Sequence, residues 1–275
     1  MTPAEQRAAR FGWLGAAFGV GFVLGPALGG LAGSISPRLP FWIAAGLSLA
    51  NACYGLFVLP ESLPRSRRAA FNWRRANPFG ALALLASHVA LARLAVVNFL
   101  DTLAHAVLPS TAVMYMFYRY GFDQRAVGLT MAGVGIASII VQGAVVGPVT
   151  KRIGERAALI VGLGFGVAGF LTFALAPTGP VFWLGIPLLA LWGLQNPASL
   201  SLMSRVVGAE EQGRLQGANA SVDGIANLLG PGLFTQVFAF AIGAQGDWHL
   251  PGTPFLIAAL LVASAGILAW RMARP

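Results

Sequence analysis

The sequence predicts an all-α membrane protein of eight transmembrane helices, and three observations predict it. Of its 275 residues, 57% are hydrophobic and only 10% charged, with a mean hydropathy of +0.73, whereas a soluble domain carries about 25% charged residues. The apolar residues fall in runs long enough to cross a bilayer, which takes about 20 residues of helix. The 18 Lys and Arg sit in the short connections between those runs, the pattern of a topology signal. Helices are required because each span must satisfy its own backbone polar groups in lipid.

The first run, 11–33, follows Arg7 and Arg10. It exceeds the roughly 7–15 residues of a signal-peptide core, and no cleavage pattern follows it, so it reads as a true span. The second, 40–59, ends at Pro60-Glu61-Ser62 and opens the longest hydrophilic connection, 60–78, with five arginines. That connection predicts a boundary between two bundles, with 79–88 a short interfacial helix. The organisation expected is therefore 1–59 as two spans, 60–88 as a central cytoplasmic segment, and 89–275 as a six-helix bundle. The six spans are 90–117, 127–149, 157–176, 180–203, 215–241 and 253–272.

Charge orients the bundle. With the N-terminus inside, the loops holding Arg65, Arg67, Arg68, Lys151, Arg152, Arg205 and Arg214 are cytoplasmic, and only Arg38, Arg119 and Arg125 fall on the other side. Both termini are then predicted to be cytoplasmic. The net charge of +9 reflects this bias. It does not form the basic, aromatic-interleaved face of a nucleic-acid binder. Cys53 stands alone in an apolar run, which predicts neither a disulfide nor a metal site. No His-Glu-x-x-His, Gly-x-Ser-x-Gly or phosphate loop is present, so neither an enzyme nor a cofactor is expected.

An internal repeat sharpens the prediction. Ala4–Leu28 aligns with Ala209–Leu233 at a constant offset of 205 residues, sharing Glu5/Glu210, Gly12/Gly217, Gly19/Gly224, Leu24/Leu229, Gly25/Gly230 and Pro26/Pro231. One copy opens the first span and the other the seventh, so the period is six spans, as in transporters built of parallel repeats. The first copy occupies the place of a fifth span within a six-span half. Four preceding spans are therefore expected to complete a twelve-span plan, and the 275-residue chain alone is expected to be inactive.

The string Gly21-Phe22-Val23-Leu24-Gly25-Pro26-Ala27-Leu28-Gly29-Gly30 places glycines four apart, which lets a neighbouring helix approach closely. Pro26 removes a backbone donor. This string, with Gly21, Gly25, Pro26, Gly29 and Gly30, resembles the antiporter motif in the fifth span of major facilitator superfamily drug/proton antiporters. Pro60–Pro64, Asn72–Pro78, Gly193–Ser204 and Glu211–Gly217 are similar to the tetracycline-resistance branch of that superfamily. The resemblance implies spans 5–12 of a twelve-span fold and proton-coupled efflux of hydrophobic, drug-like small molecules across the cell (inner) membrane. It also implies that every third span, here 40–59, 157–176 and 253–272, is peripheral. Gly147–Arg156 resembles the family's conserved loop, with Lys151 where Asp is favoured and Glu155 where a basic residue is favoured. A solvated turn is expected there. Ser138 and Ala168 stand where the branch, as aligned, carries His and Asp, so membership does not imply tetracycline as substrate.

An ionisable group at a helix centre costs roughly 2.5–3.5 kcal/mol on insertion scales, and intramembrane examples are functional by default. Asp101 and His105, four apart, share a face with Asn98 and are expected to hydrogen-bond as a proton-coupling pair. Asp223, between Asn219 and Asn227, is a second candidate. Gln142, Gln195 and Asn196 complete the expected cavity lining. A different class of function, an eight-span scaffold or regulatory protein without transport, fits the same composition.

Overall fold

The computed structural model describes residues 38–58, 78–208, 211–243 and 250–273, together with single positions between 21 and 36. These residues fall into two compact units, residues 1–72 and 73–275.

In the first unit, Gly21, Leu24, Gly25, Leu28 and Gly29 are helical. A methyl group added at Gly21, Gly25 or Gly29 would meet nothing within 4 Å among the described residues. Pro26 and Gly30 of the expected motif lie outside the described residues. Helix α1, Leu39–Phe57, starts with Pro40 in its first turn, where a missing N–H costs nothing. It carries Phe41, Trp42, Leu47, Leu49, Leu56 and Phe57 exposed along its length, a lipid-compatible surface of spanning length.

The second unit is a helical bundle. Its elements are α2 (Pro78–Ser87), α3 (Val89–His105), α4 (Val107–Tyr120), α5 (Gln124–Ile140), a π-helical turn (Val141–Val145), α6 (Val146–Ile153), α7 (Glu155–Leu175), α8 (Gly179–Trp192), α9 (Gln195–Ser204), α10 (Gln212–Ile242) and α11 (Thr253–Ala273). Six stretches among the described residues are continuous and apolar enough to span: 39–57, 89–120, 124–153, 155–175, 212–242 and 253–272. The predicted spans from 40–59 onward and the short helix at 79–88 thus appear within a few residues of their expected limits, with two differences of substance, while most of the expected span 11–33 lies outside the described residues.

The expected span 90–117 is two helices meeting at Ala106, and 180–203 is two helices meeting at Gly193-Leu194. Both breaks follow one rule. A proline has no N–H for the carbonyl four residues earlier, and its ring crowds that carbonyl. Pro109 withdraws the partner of His105 and Pro197 that of Gly193, the residues at which α3 ends and α8 is capped. A third irregularity, the π-turn at 141–145, lies just before Pro148.

Close approach holds the bundle together. On α7, a Cβ added at Gly162 would fall 2.7 Å from the Gln195 backbone nitrogen. At Gly166 it would fall 2.7 Å from the Trp192 ring, and at Gly169 2.7 Å from the Leu189 side chain. These glycines form the seam that seats α8 and α9. The aromatic ends lock in register: Phe173 stacks on Phe182 at 3.9 Å. The buried Tyr115 hydroxyl donates to the Phe173 carbonyl at 2.9 Å, and that of Tyr120 to the Ala176 carbonyl at 2.9 Å. Gly121, at φ +61°, ends α4 in the left-handed conformation that a side chain disfavours. Asp123 then caps α5 by accepting from the Ala126 N–H at 2.7 Å.

The loop expected to be a solvated turn exposes Lys151, Arg152, Gly154 and Arg156, and one of its residues, Glu155, is tied down. Val146–Ile153 is helical and Gly154, at φ +80°, turns the chain into α7. There Glu155 accepts from Ser201 Oγ at 2.6 Å and from Arg205 Nη2 at 2.7 Å. The carboxylate has a half-buried place to go because α9 ends directly against the start of α7; its side chain is only 16% exposed.

Candidate functional site

Among the described residues, one carboxylate lies in the interior of the bundle. Asp101 is 6% exposed, and two donors from the broken helix reach across to it. Trp192 Nε1–H donates to Oδ1 at 2.7 Å and Gln195 Nε2–H donates to Oδ2 at 2.5 Å. Trp192 is the last residue of α8 and Gln195 the first of α9, so Asp101 clasps both sides of the Gly193-Leu194 break. The glycine seam explains the aim of both donors, since Gly166 admits the indole and Gly162 admits the Gln195 backbone. Phe170 packs edge-on against the indole at 5.1 Å.

Beside this clasp lies a cavity of about 180 Å³, walled by α3, α9 and α10. Asn98, Asp101 and Thr102 line it from α3, Gln195, Asn196 and Leu200 from α9, and Gln216, Asn219, Ala220 and Asp223 from α10. Thr102 Oγ1 donates to Asp223 Oδ1 at 2.9 Å. Asn98 accepts from Ser199 Oγ at 2.7 Å and turns its amide nitrogen toward Met203 Sδ at 3.6 Å. Asn219 is 5% exposed, and neither its amide oxygen nor its nitrogen has a partner; Gln195 Oε1 is likewise buried and unpaired. Buried polar groups are almost always satisfied, so these orphans mark a place where hydrogen bonding is unfinished. No Lys, Arg or His is among the described lining residues, while two carboxyl groups are.

The expected set of residues is therefore partly assembled. Asp101, Asp223, Asn98, Gln195, Asn196 and Asn219 line one cavity. His105 does not bond Asp101 among the described residues. It is exposed, and its ring sits 5.5 Å from that of Trp192. Spacing of four put Asp101 and His105 on one face, but the carboxyl turns inward to donors from another helix. Gln142 is exposed on the π-turn and Asn227 is exposed on α10, and neither lines the cavity. The three-residue stripe on α10 thus contributes Asn219 and Asp223 only. None of the described lining residues comes from α7 or α11, in keeping with their expected distance from the cavity, although both are closely packed: α11 lies against α7 and α3. Trp192, Ser199 and Gln216 were missing from the expectation. Tryptophan in an apolar run looks like core, and its one N–H donor becomes visible only once the facing helix is known.

Membrane-length helices, two of them broken next to a proline, around a polar carboxylate-bearing cavity define a multi-pass membrane protein. The chain belongs to the Major Facilitator Superfamily, whose family model matches it over residues 1–231 and again over 94–275. It is 34% identical over 264 residues to the class C tetracycline resistance protein of Escherichia coli, covering 95% of this chain and 64% of that one. It is 27% identical over 289 residues to the human hippocampus abundant transcript-like protein 1, covering 98% of this chain and 57% of that one. The crystal structure of the human organic anion transporter MFSD10 (TETRAN) is similar with a TM-score of 0.75 at 25% identity, covering 98% of this chain and 65% of that one. The chain thus spans less than two-thirds of the length of these relatives.

Proposed function

We propose that this chain serves proton-coupled export of hydrophobic, drug-like small molecules by alternating access. The observation that carries the reading is Asp101: a buried carboxyl group, held by neutral donors and without a basic partner, on the wall of a polar cavity. A carboxyl so placed can take up and release a proton without breaking an ion pair, and intramembrane carboxyls commonly serve proton relays. Asp223 across the cavity is its proposed companion, and His105, reached only through the Trp192 ring, has a secondary part. Discontinuous helices such as α8/α9 commonly form transporter sites. The named relatives support a small-molecule cargo, and the tetracycline-resistance proteins among them support efflux. The setting is the cell (inner) membrane with both termini cytoplasmic, so reporter fusions at Lys151 should read cytoplasm and at Asp123 the opposite side.

Transport is measured in proteoliposomes under an imposed proton gradient. The chain is used alone and joined to the N-terminal third of the class C relative, with tetracycline and cationic dyes as cargo. In the joined protein, Asp101→Asn should abolish gradient-driven transport while keeping the fold, because the amide preserves shape and loses the titrating proton. Unaltered proton exchange in that variant would refute the reading.

A further inference from the structure

The clasp at Asp101 is asymmetric. Trp192 Nε1–H is a donor only and is fixed by packing against Gly166 and Phe170, so Oδ1 must remain an acceptor in every protonation state. A proton on Oδ1 would have to share that oxygen with the indole and find its own acceptor, whereas Oδ2 faces a side chain that carries one, so Oδ2 is the favoured place for a proton taken up by Asp101. In the present arrangement Oδ2 faces a second donor, Gln195 Nε2, and a protonated Oδ2 would set hydrogen against hydrogen. Gln195 has the remedy in its own side chain. Its amide has nearly the same shape either way round, its Oε1 is buried with no partner to lose, and its backbone is pinned against Gly162.

Resting on the reading of Asp101 as the proton site, we propose that the Gln195 amide reverses with the protonation state of Asp101. With the carboxylate, Nε2–H donates to Oδ2. With the carboxylic acid, Oε1 turns to accept from the Oδ2–H. The proton comes from water reaching the cavity and returns there, and no covalent bond of Gln195 changes. Reversal replaces the unpaired end of the amide, a buried acceptor, by a donor. Each proton is thereby translated into an inverted hydrogen-bonding character on the wall of a cavity that Asn219, with both its amide atoms unpaired, also lines. Gln195 acts as a positioning residue.

The surrounding charges leave this assignment to Asp101. Asp223 on α10 lines the same cavity, and His105 lies across the Trp192 ring. Arg93, Arg119, Arg214 and Arg271 sit toward the ends of α3, α4, α10 and α11, and Glu155 and Arg156 begin α7. Helices α2, α8 and α9 carry no charged or titratable residue.

The test is infrared difference spectroscopy on the purified 275-residue chain in lipid nanodiscs. Glutamine is isotope-labelled at its side-chain carbonyl and pH is stepped across the titration. The carboxylic band of Asp101 is assigned by its loss in Asp101→Asn, and the Gln195 amide band by its loss in Gln195→Met, or in Gln195→Glu should the first variant misfold. The expected result is an amide band that shifts with the same midpoint as the carboxylic band and stays still in Asp101→Asn. A carboxylic band that titrates beside a stationary amide band overturns the reversal and leaves Asp101 as the proton site. If no carboxylic band is lost in Asp101→Asn at any pH, the reading of Asp101 fails and the reversal with it.

Discussion

Gly166→Ala tests whether a glycine on one helix controls the site on another. The added Cβ would stand 2.7 Å from Trp192 Cδ1, 2.9 Å from Cγ and 3.0 Å from Nε1. The ring has no free direction of retreat, with Phe170 at 5.1 Å, His105 at 5.5 Å and Asp101 holding its N–H. Overpacking of this kind costs about 1–3 kcal/mol. Displacing a hydrogen bond to a charged group costs about 1.5–3 kcal/mol. Replacing a mid-helix glycine returns about 0.5–1 kcal/mol. The expected outcome is a net loss of about 1.5–5.5 kcal/mol. It is measured by thermal unfolding in nanodiscs followed by circular dichroism, with a shifted tryptophan emission reporting the ring. Gly164, two residues away on the same helix, supplies the control, because an added Cβ there meets nothing within 4 Å. Gly164→Ala should be neutral or gain up to about 1 kcal/mol. Equal stability of the two variants would refute the argument that the α7 glycines seat the Asp101 donors.

Further outcomes follow from single contacts. Tyr115→Phe removes a buried donor to the Phe173 carbonyl and should cost about 1–3 kcal/mol in the same unfolding assay, since the carbonyl is left unpaired. Glu155→Arg and Arg205→Glu should each loosen the α7–α9 junction, and the double variant should recover most of the loss. The coupling should stay below about 1 kcal/mol because Arg205 is 70% exposed, and a double-mutant cycle measures it. Asp223→Asn keeps the shape that receives Thr102 Oγ1 and should leave stability within about 0.5 kcal/mol while altering the pH dependence of transport by the joined protein.

The spans were legible because a bilayer imposes length and polarity on every crossing segment, and hydropathy reads both. The breaks were not read from hydropathy because a proline does not lower the hydropathy of its run, while the damage from Pro109 and Pro197 appears one turn earlier, at His105 and Gly193. At the site, rarity pointed to residues that share one cavity: a carboxyl or amide inside a span is expensive, and Asp101, Asp223, Gln195 and Asn219 all line it. Pairing was not legible. Helical spacing places Asp101 beside His105, but which neighbour a side chain chooses depends on the helix facing it, and here that helix delivers Trp192. Gln142 and Asn227 show the same limit, being polar in the expected spans yet turned elsewhere.

Helix α9 has one more property. It is ten residues long, about 15 Å at the usual rise. A carboxylate grips each end, Asp101 at Gln195 and Glu155 at Ser201 and Arg205. Those carboxylates belong to different helices, α3 and α7. The helix is interrupted at its start, at Gly193-Leu194, so α9 is held at its two ends by these contacts rather than by continuity with α8. The segment thus ties the polar interior at Asp101 to the turn at Gly154 through a single short helix.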